Sequence, residues 1–245
     1  VLCEDTRVSK KLLDKHDIKS KRLLAYHKFN EKRSLSKVIK LLENKKIVSI
    51  ISDAGTPCIS DPGNVLINEC IKNQINIFSI PGPSSVISAV SISGFTDKFI
   101  FYGFFPEKTK DIKKDLELLS KLNLSIVFFI SAKKFKKNSV YLEKYFSGRK
   151  ILICKELTKM YEQHFRLEVS KIKDFNIDLR GEITLVISQK DKAESEKELD
   201  EQDRLLIKKL IKTLSIKDIV TVIKKNKDIS KKEIYNYYLK IKNEK

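Results

Sequence analysis

The sequence predicts an α/β protein built as two successive α/β domains with a small helical appendix at the C-terminus, and three observations carry that reading. Short apolar runs alternate with segments whose apolar residues recur at helical spacing, the signature of strands joined by crossover helices. Two of those runs end in loops that hold four of the five prolines, Pro57, Pro62, Pro81 and Pro83. Beyond the charged stretch Asp191 to Asp203, three short amphipathic patterns follow one another with no strand between them.

The first domain is expected over residues 1–96. Val1-Leu2-Cys3 reads as the end of a strand whose beginning lies upstream, and Glu4-Asp5-Thr6-Arg7 leads into a helix from Val8 to His16 capped by Asp5 or Thr6. Leu23 to Tyr26 is a short strand and His27 to Glu31 its loop; Leu35, Val38, Ile39 and Leu42 mark a helix from Leu35 to Asn44. Ile47 to Ile51 reads as a buried strand ending in the loop Ser52 to Gly63. Val65 to Lys72 is a helix, Ile75 to Ile80 a strand, Pro81-Gly82-Pro83-Ser84-Ser85 a second loop, and Val86 to Ser93 a small apolar helix.

In an open α/β sheet, ligands bind in the crevice beyond the carboxyl ends of the strands, where both loops belong. Gly55 and Gly82 permit positive φ or close backbone approach, and Pro57, Pro81 and Pro83 stiffen the loops, so that less entropy is lost when a ligand docks. One such loop is as readily an ordinary strand-to-helix turn. Two in succession, with Ser, Thr and Asp side chains, favour a binding site. Neither loop is a Gly-x-Gly-x-x-Gly or Walker sequence, so neither a dinucleotide nor a nucleoside triphosphate is indicated.

The second domain is expected over residues 97–190, with more mixed strand order. Its aromatic first strand, Phe99 to Pro106, reads as core in preference to a base-stacking platform, which needs exposed rings. A helix from about Lys110 to Leu122 and strands at Ser125 to Ile130, Lys150 to Lys155, Phe165 to Val169 and Ile183 to Ile187 follow. Lys133 to Lys137 is either a phosphate-contacting segment or a solvated helix face. Residues 191–203 read as a charged linker, and 204–245 as a tail of helices at Leu205 to Leu214, Ile216 to Lys225 and Ser230 to Ile241. Ser230-Lys231-Lys232-Glu233 matches a capping box.

The chain has 245 residues and a net charge of +18, the footprint of a protein that meets phosphate backbones, although a compositional bias toward Lys, Ile and Asn gives the same balance without a binding role. Cys3, Cys58, Cys70 and Cys154 lack Cys-x-x-Cys spacing, and the three histidines are scattered. No metal and no disulfide are expected, and a reducing cytoplasm fits. No apolar run approaches the roughly 18 residues of a membrane span.

Glu4-Asp5-Thr6-Arg7, Tyr26-His27, Ser52-Asp53-Ala54-Gly55-Thr56-Pro57, Ser60-Asp61-Pro62-Gly63, Pro81-Gly82-Pro83, Gly103-Phe104, Glu156-Leu157-Thr158-Lys159 and Gly181-Glu182 occur in the order in which they occur in the ribosomal RNA small subunit methyltransferase I family, part of the tetrapyrrole methylase-like superfamily. The chain resembles that family over nearly its whole length. The resemblance implies two α/β domains with S-adenosylmethionine in the cleft between them, a cytoplasmic homodimer, and 2′-O-methylation of a cytidine ribose in 16S ribosomal RNA or the 30S subunit, with the helical tail contacting RNA. It implies that Asp53, Gly55, Thr56 and Pro57 border the methionine end of the cofactor, that Pro81, Gly82, Ser84 and Ser85 lie near its sugar or sulfonium, and that Gly181 and Glu182 lie near the adenine. Glu4, Arg7, His27, Glu156 and Lys159 fall on the substrate side.

Two departures stand out. The family opens with a strand ending in an Ala-Thr-Pro-Ile-Gly-Asn-Leu loop that walls the site, and this chain starts after it, so one central strand and part of the pocket are expected to be lacking. Where the family has Tyr-Glu and then His-Arg after the strand at Ser125, this chain has Phe129-Ile130 and Lys133-Lys134, which keeps the positive charge and loses the carboxylate.

A ribose hydroxyl is a poor acid, so methyl transfer to it gains from a base or charge-stabilising donor. Glu156 or Glu4 as base, with Lys159 or Arg7 as electrostatic partner, are the candidates, each with the alternative of an ion pair holding a strand end. Two rival readings remain: a small-molecule methyltransferase of the same fold acting on a tetrapyrrole or diphthine, which leaves the tail and basic balance without a role, and an RNA-binding relative without chemistry.

Overall fold

In a computed structural model, residues 1–20, 22–175, 180–190, 199–226, 229 and 231–243 are described. They form two sheets and nine α-helices. The first sheet has the order β2-β1-β3, all parallel, from β1 Leu2–Cys3, β2 Leu24–Ala25 and β3 Ile50–Ile51. Helices α1 Thr6–Lys15, α2 Glu31–Glu43 and α3 Asn64–Lys72 connect or follow these strands, and α2 and α3 bury Val38, Ile39, Leu66 and Cys70 with Leu2 and Tyr26.

Side-chain hydrogen bonds set the start of several helices. Asp5 caps α1 by accepting the Arg7 amide, and Ser84 caps α4 Ser85–Ser91 by accepting the Ile87 amide. α2 starts four residues before the expected Leu35, because Asn30 accepts the His27 amide and donates to the Ala25 carbonyl, closing the turn early.

The expected strand Ile75 to Ile80 does not form. A strand needs a ladder partner; β3 is the last strand of its sheet, and no neighbour pairs with residues 75–80 among those described. Phe78 and Ile80 are each 82% exposed. Nor is Ile47 to Ile51 a buried strand: only Ile50 and Ile51 pair, and Ile47 is 97% exposed beside the same open edge.

The second sheet has the order β4-β5-β8-β6-β7, from β4 Phe99–Phe104, β5 Ser125–Ser131, β6 Lys150–Lys155, β7 Gln163–Glu168 and β8 Glu182–Ile187. Only β4 and β5 are parallel; the other pairs are antiparallel, giving the expected mixed order. α5 Thr109–Lys121 and α6 Ala132–Phe146 cover one face with Ile112, Leu116, Phe135, Leu142 and Phe146, while α4 covers the other with Val86 and Ala89 against Val127, Leu152 and Val186. The aromatic strand is only in part core: Phe105 is buried, but β4 is an edge strand and leaves Phe104 64% exposed.

Arg149 is buried where α6 turns into β6. Its guanidinium donates to the carbonyls of Ser120, Leu122, Leu124 and Ser188, gathering the end of α5, the entry to β5 and the exit of β8. Arg149→Met strands these acceptors, with an expected loss of roughly 3–5 kcal/mol. Thermal unfolding should fall by about 10 °C; a change within 2 °C would refute this role.

Helices α7 Glu201–Leu210, α8 Ile216–Asn226 and α9 Lys231–Asn243 share a small core of Leu199, Ile207, Ile219, Ile223, Ile229 and Ile234. α7 starts four residues before the expected Leu205, because Asp200 and Asp203 form a reciprocal capping box. The rest of the expected linker, residues 191–198, and Ser230 of the other capping box lie outside the described residues. No described helix is long and apolar enough to cross a membrane.

Candidate functional site

The two Gly- and Pro-rich loops meet. The Thr56 hydroxyl donates to the Pro83 carbonyl at 3.0 Å, and a Cβ on Gly55, whose φ is +71°, would touch the same carbonyl at 4.0 Å. Gly55 and Thr56 of the first loop therefore lie against Pro83, the residue between Gly82 and Ser84. Gly82 needs no special conformation: its φ is not positive, and an added Cβ would make only ordinary contact. The strain lies elsewhere in the first loop, where Cys58 and Ser60 adopt φ of 68° and 67°. Gly63 has φ +136°, and a Cβ there would lie 2.4 Å from the Cys58 sulfur. The Glu31 carboxylate accepts the Gly63 amide at 3.3 Å, an anchor for which His27 to Glu31, read as a plain loop, gave no signal.

The first loop also reaches the second sheet. A Cβ on Gly103, in β4, would stand 3.6 Å from the Ser60 hydroxyl oxygen. Asp61 lies within electrostatic range of Asp53 and of Glu182 at the start of β8. Glu4 is within range of Asp61, Asp53 and His27, and the Asp5 amide donates to Asp53 at 3.3 Å. Glu4, Asp53 and Asp61 thus gather, with Glu182 within range of Asp61, where the first loop meets the second sheet, a mouth between the sheets.

Burial, and then the neighbouring carboxylates, raise the pKa of both Glu4 and Asp61; at Asp61 a Ser52 hydrogen bond opposes this, at Glu4 the charge of His27. A carboxyl with a raised folded-state pKa contributes stability present below its unfolded value and lost as pH rises through the folded one. Asp61→Asn is therefore expected to raise the melting temperature at pH 7, with the advantage shrinking as pH falls through the raised value and gone below the ordinary carboxylate range. A melting temperature lowered at pH 7 would count against this.

The other candidates are placed differently. Arg7 is engaged on its own helix, its guanidinium bonded to Asp5 at 2.6 and 3.1 Å and its side chain 86% exposed. Lys159 bridges Glu156 and Glu182, at 3.0 and 2.9 Å. Glu156 also accepts the Glu182 amide at 2.8 Å, and that bond, followed by the Lys159 contact, lowers its pKa. Lys134, from the basic segment, is in α6 and pairs with Glu107.

The sequence profile of the family described as Tetrapyrrole (Corrin/Porphyrin) Methylases matches residues 1–173. A Rickettsia prowazekii protein named ribosomal RNA small subunit methyltransferase I is 37% identical over 96% of this chain and 85% of its own. Proteins of that name from Mesomycoplasma conjunctivae and Thermotoga maritima are 38% and 41% identical, over 82% and 78% of this chain and 85% and 86% of theirs. Among solved structures, a diphthine synthase superposes with a TM-score of 0.59 at 10% identity, over 77% of this chain and 78% of its own. A cobalt precorrin-4 methyltransferase gives 0.54 at 18%, over 76% and 82%; both share the α/β architecture described above.

Proposed function

The chain belongs to the tetrapyrrole (corrin/porphyrin) methylase family, alongside relatives named ribosomal RNA small subunit methyltransferase I, and from that membership we propose that it transfers the methyl group of S-adenosylmethionine to the 2′-oxygen of a cytidine ribose in 16S ribosomal RNA. The observation that carries the reading is the convergence of the loop after β3 and the Pro81 to Ser85 loop, joined through Thr56, with the Glu156 and Gly181-Glu182 edge of the second sheet.

The mouth suits the cofactor. Glu4 and Asp61 hold carboxylates that burial and mutual repulsion leave short of positive charge, which a sulfonium and an ammonium group would supply. Asp53, Gly55, Thr56 and Pro57 would hold the methionine end, Pro81, Gly82, Ser84 and Ser85 the sugar side, and Gly181 with Glu182 the adenine. S-adenosylmethionine supplies the electrophilic methyl group when bound. The protein's work is alignment and exclusion of water, and proton acceptance from the ribose hydroxyl, which we assign to Glu4. α7 to α9 carry exposed lysines suited to the RNA backbone, and a homodimer of the chain is part of the proposal.

Incubation of the full-length protein with methyl-labelled S-adenosylmethionine and 30S subunits tests this. Label should enter an alkali-resistant dinucleotide carrying a 2′-O-methylcytidine. Label on a base alone, or none in 30S subunits or free 16S RNA, would refute the ribose assignment.

A further inference from the structure

β6 and β8 run antiparallel, with Lys155 opposite Ile183, so the next pair in register is Glu156 with Glu182. Half of that pair is regular: the Glu156 amide donates to the Glu182 carbonyl at 3.0 Å. The other half is replaced. Glu156 takes a left-handed φ of 51°, and its carbonyl accepts the Lys159 amide at 3.0 Å. The Glu182 amide, denied that carbonyl, donates instead to the Glu156 carboxylate Oε1 at 2.8 Å.

Two further features serve this substitution. A Cβ on Gly181 would lie 2.2 Å from Glu156 Oε1, so glycine is required to leave room for the carboxylate. Lys159 Nζ reaches the same Oε1 and also the Glu182 carboxylate, fixing both ends of the turn. A left-handed conformation at a non-glycine residue costs on the order of 1 kcal/mol or more, and here it is held by surrounding bonds, as happens at sites that need a set geometry.

We propose that Glu156 is a positioning residue: its carboxylate stands in for a missing ladder carbonyl and sets the backbone of Gly181 and Glu182 on the cofactor side of the mouth. This rests on the methyltransferase reading above. A carboxylate occupied by a cation and an amide, with its pKa lowered, is also a poor proton acceptor, which separates its part from that of Glu4.

The test uses the full-length protein and begins with calorimetric binding of S-adenosylmethionine to the wild type; no binding there overturns the methyltransferase reading itself, before any variant is compared. Glu156→Gln keeps an acceptor oxygen and Glu156→Ala removes it. Glu156→Ala should weaken binding at least tenfold with kcat at saturation within threefold, while Glu156→Gln stays near wild type in both. Without cofactor, hydrogen exchange at the Glu182 amide should quicken at least tenfold in Glu156→Ala only. Gly181→Ala should reproduce the affinity loss, and adding it to Glu156→Ala should cost less than the two losses combined. A kcat lowered a hundredfold or more in both Glu156 variants, with affinity unchanged, would make Glu156 the base and overturn the proposal. Unchanged affinity and unchanged kcat in Glu156→Ala would overturn it too, by removing the turn from the site.

Discussion

Replacing Glu4 by Gln is expected to lower kcat by about 10²–10⁴-fold, the range a positioned general base supplies. Glu4 follows β1 directly, so the strand end holds it at the mouth, and it faces Asp53, Asp61 and His27. Burial raises its pKa first and the two aspartates add to that, which brings a carboxylate closer to the range useful for a base at neutral pH. Only the ionised form accepts a proton, so kcat/KM, which reports the groups of the free protein, rises with pH through a limb set above the ordinary Glu value, and Glu4→Gln abolishes that limb. Measurement of kcat at saturating RNA and cofactor, and of kcat/KM from pH 4 to 8, checks the two effects. A variant retaining more than a tenth of wild-type kcat with the limb in place would exclude Glu4 as base.

The second large effect is on RNA affinity. Lys208, Lys209 and Lys212 are exposed and border, with Leu205, Ile211 and Ile241, a groove of about 460 Å³ between α7 and α9. If each neutralises one phosphate, changing all three to Gln lowers the slope of log affinity on log salt by about two to three and weakens binding on the order of 100-fold near 0.15 M salt. The core of α7 to α9 is untouched, since all three side chains point to solvent. Filter binding of 16S RNA across a salt series reads both quantities. An unchanged slope would move the RNA contact away from this groove.

How much of this was legible in the sequence differs between the sheets. In the second, Lys150 to Lys155 and Ile183 to Ile187 were placed within one residue, because each finds two ladder partners and a core on both faces. In the first, apolar character marked Ile75 to Ile80 and Ile47 to Ile51 as strands, but pairing is a property of the neighbour, and among the described residues β3 has none on that side. Helix starts shifted because Asn30 and Asp200 close turns through side-chain bonds that hydrophobic spacing does not register.

At the site, Gly, Pro and Asp content announced the two loops, but not that Thr56 bonds Pro83 or that Asp61 comes within electrostatic range of Glu182, which are tertiary facts. The Glu156 assignment shows the limit most clearly. A carboxylate near a strand end reads equally well as a base or as an ion-pair partner. Only the left-handed φ and the clearance at Gly181 reveal that it replaces a backbone acceptor.

The most direct test of a cofactor cleft between the two sheets is calorimetric titration of S-adenosylmethionine into the full-length protein. One binding event per chain is expected, weakened when Thr56→Val removes the bond between the loops. A folded wild-type protein that takes up no S-adenosylmethionine at millimolar concentration would contradict the cleft and the methyltransferase built on it.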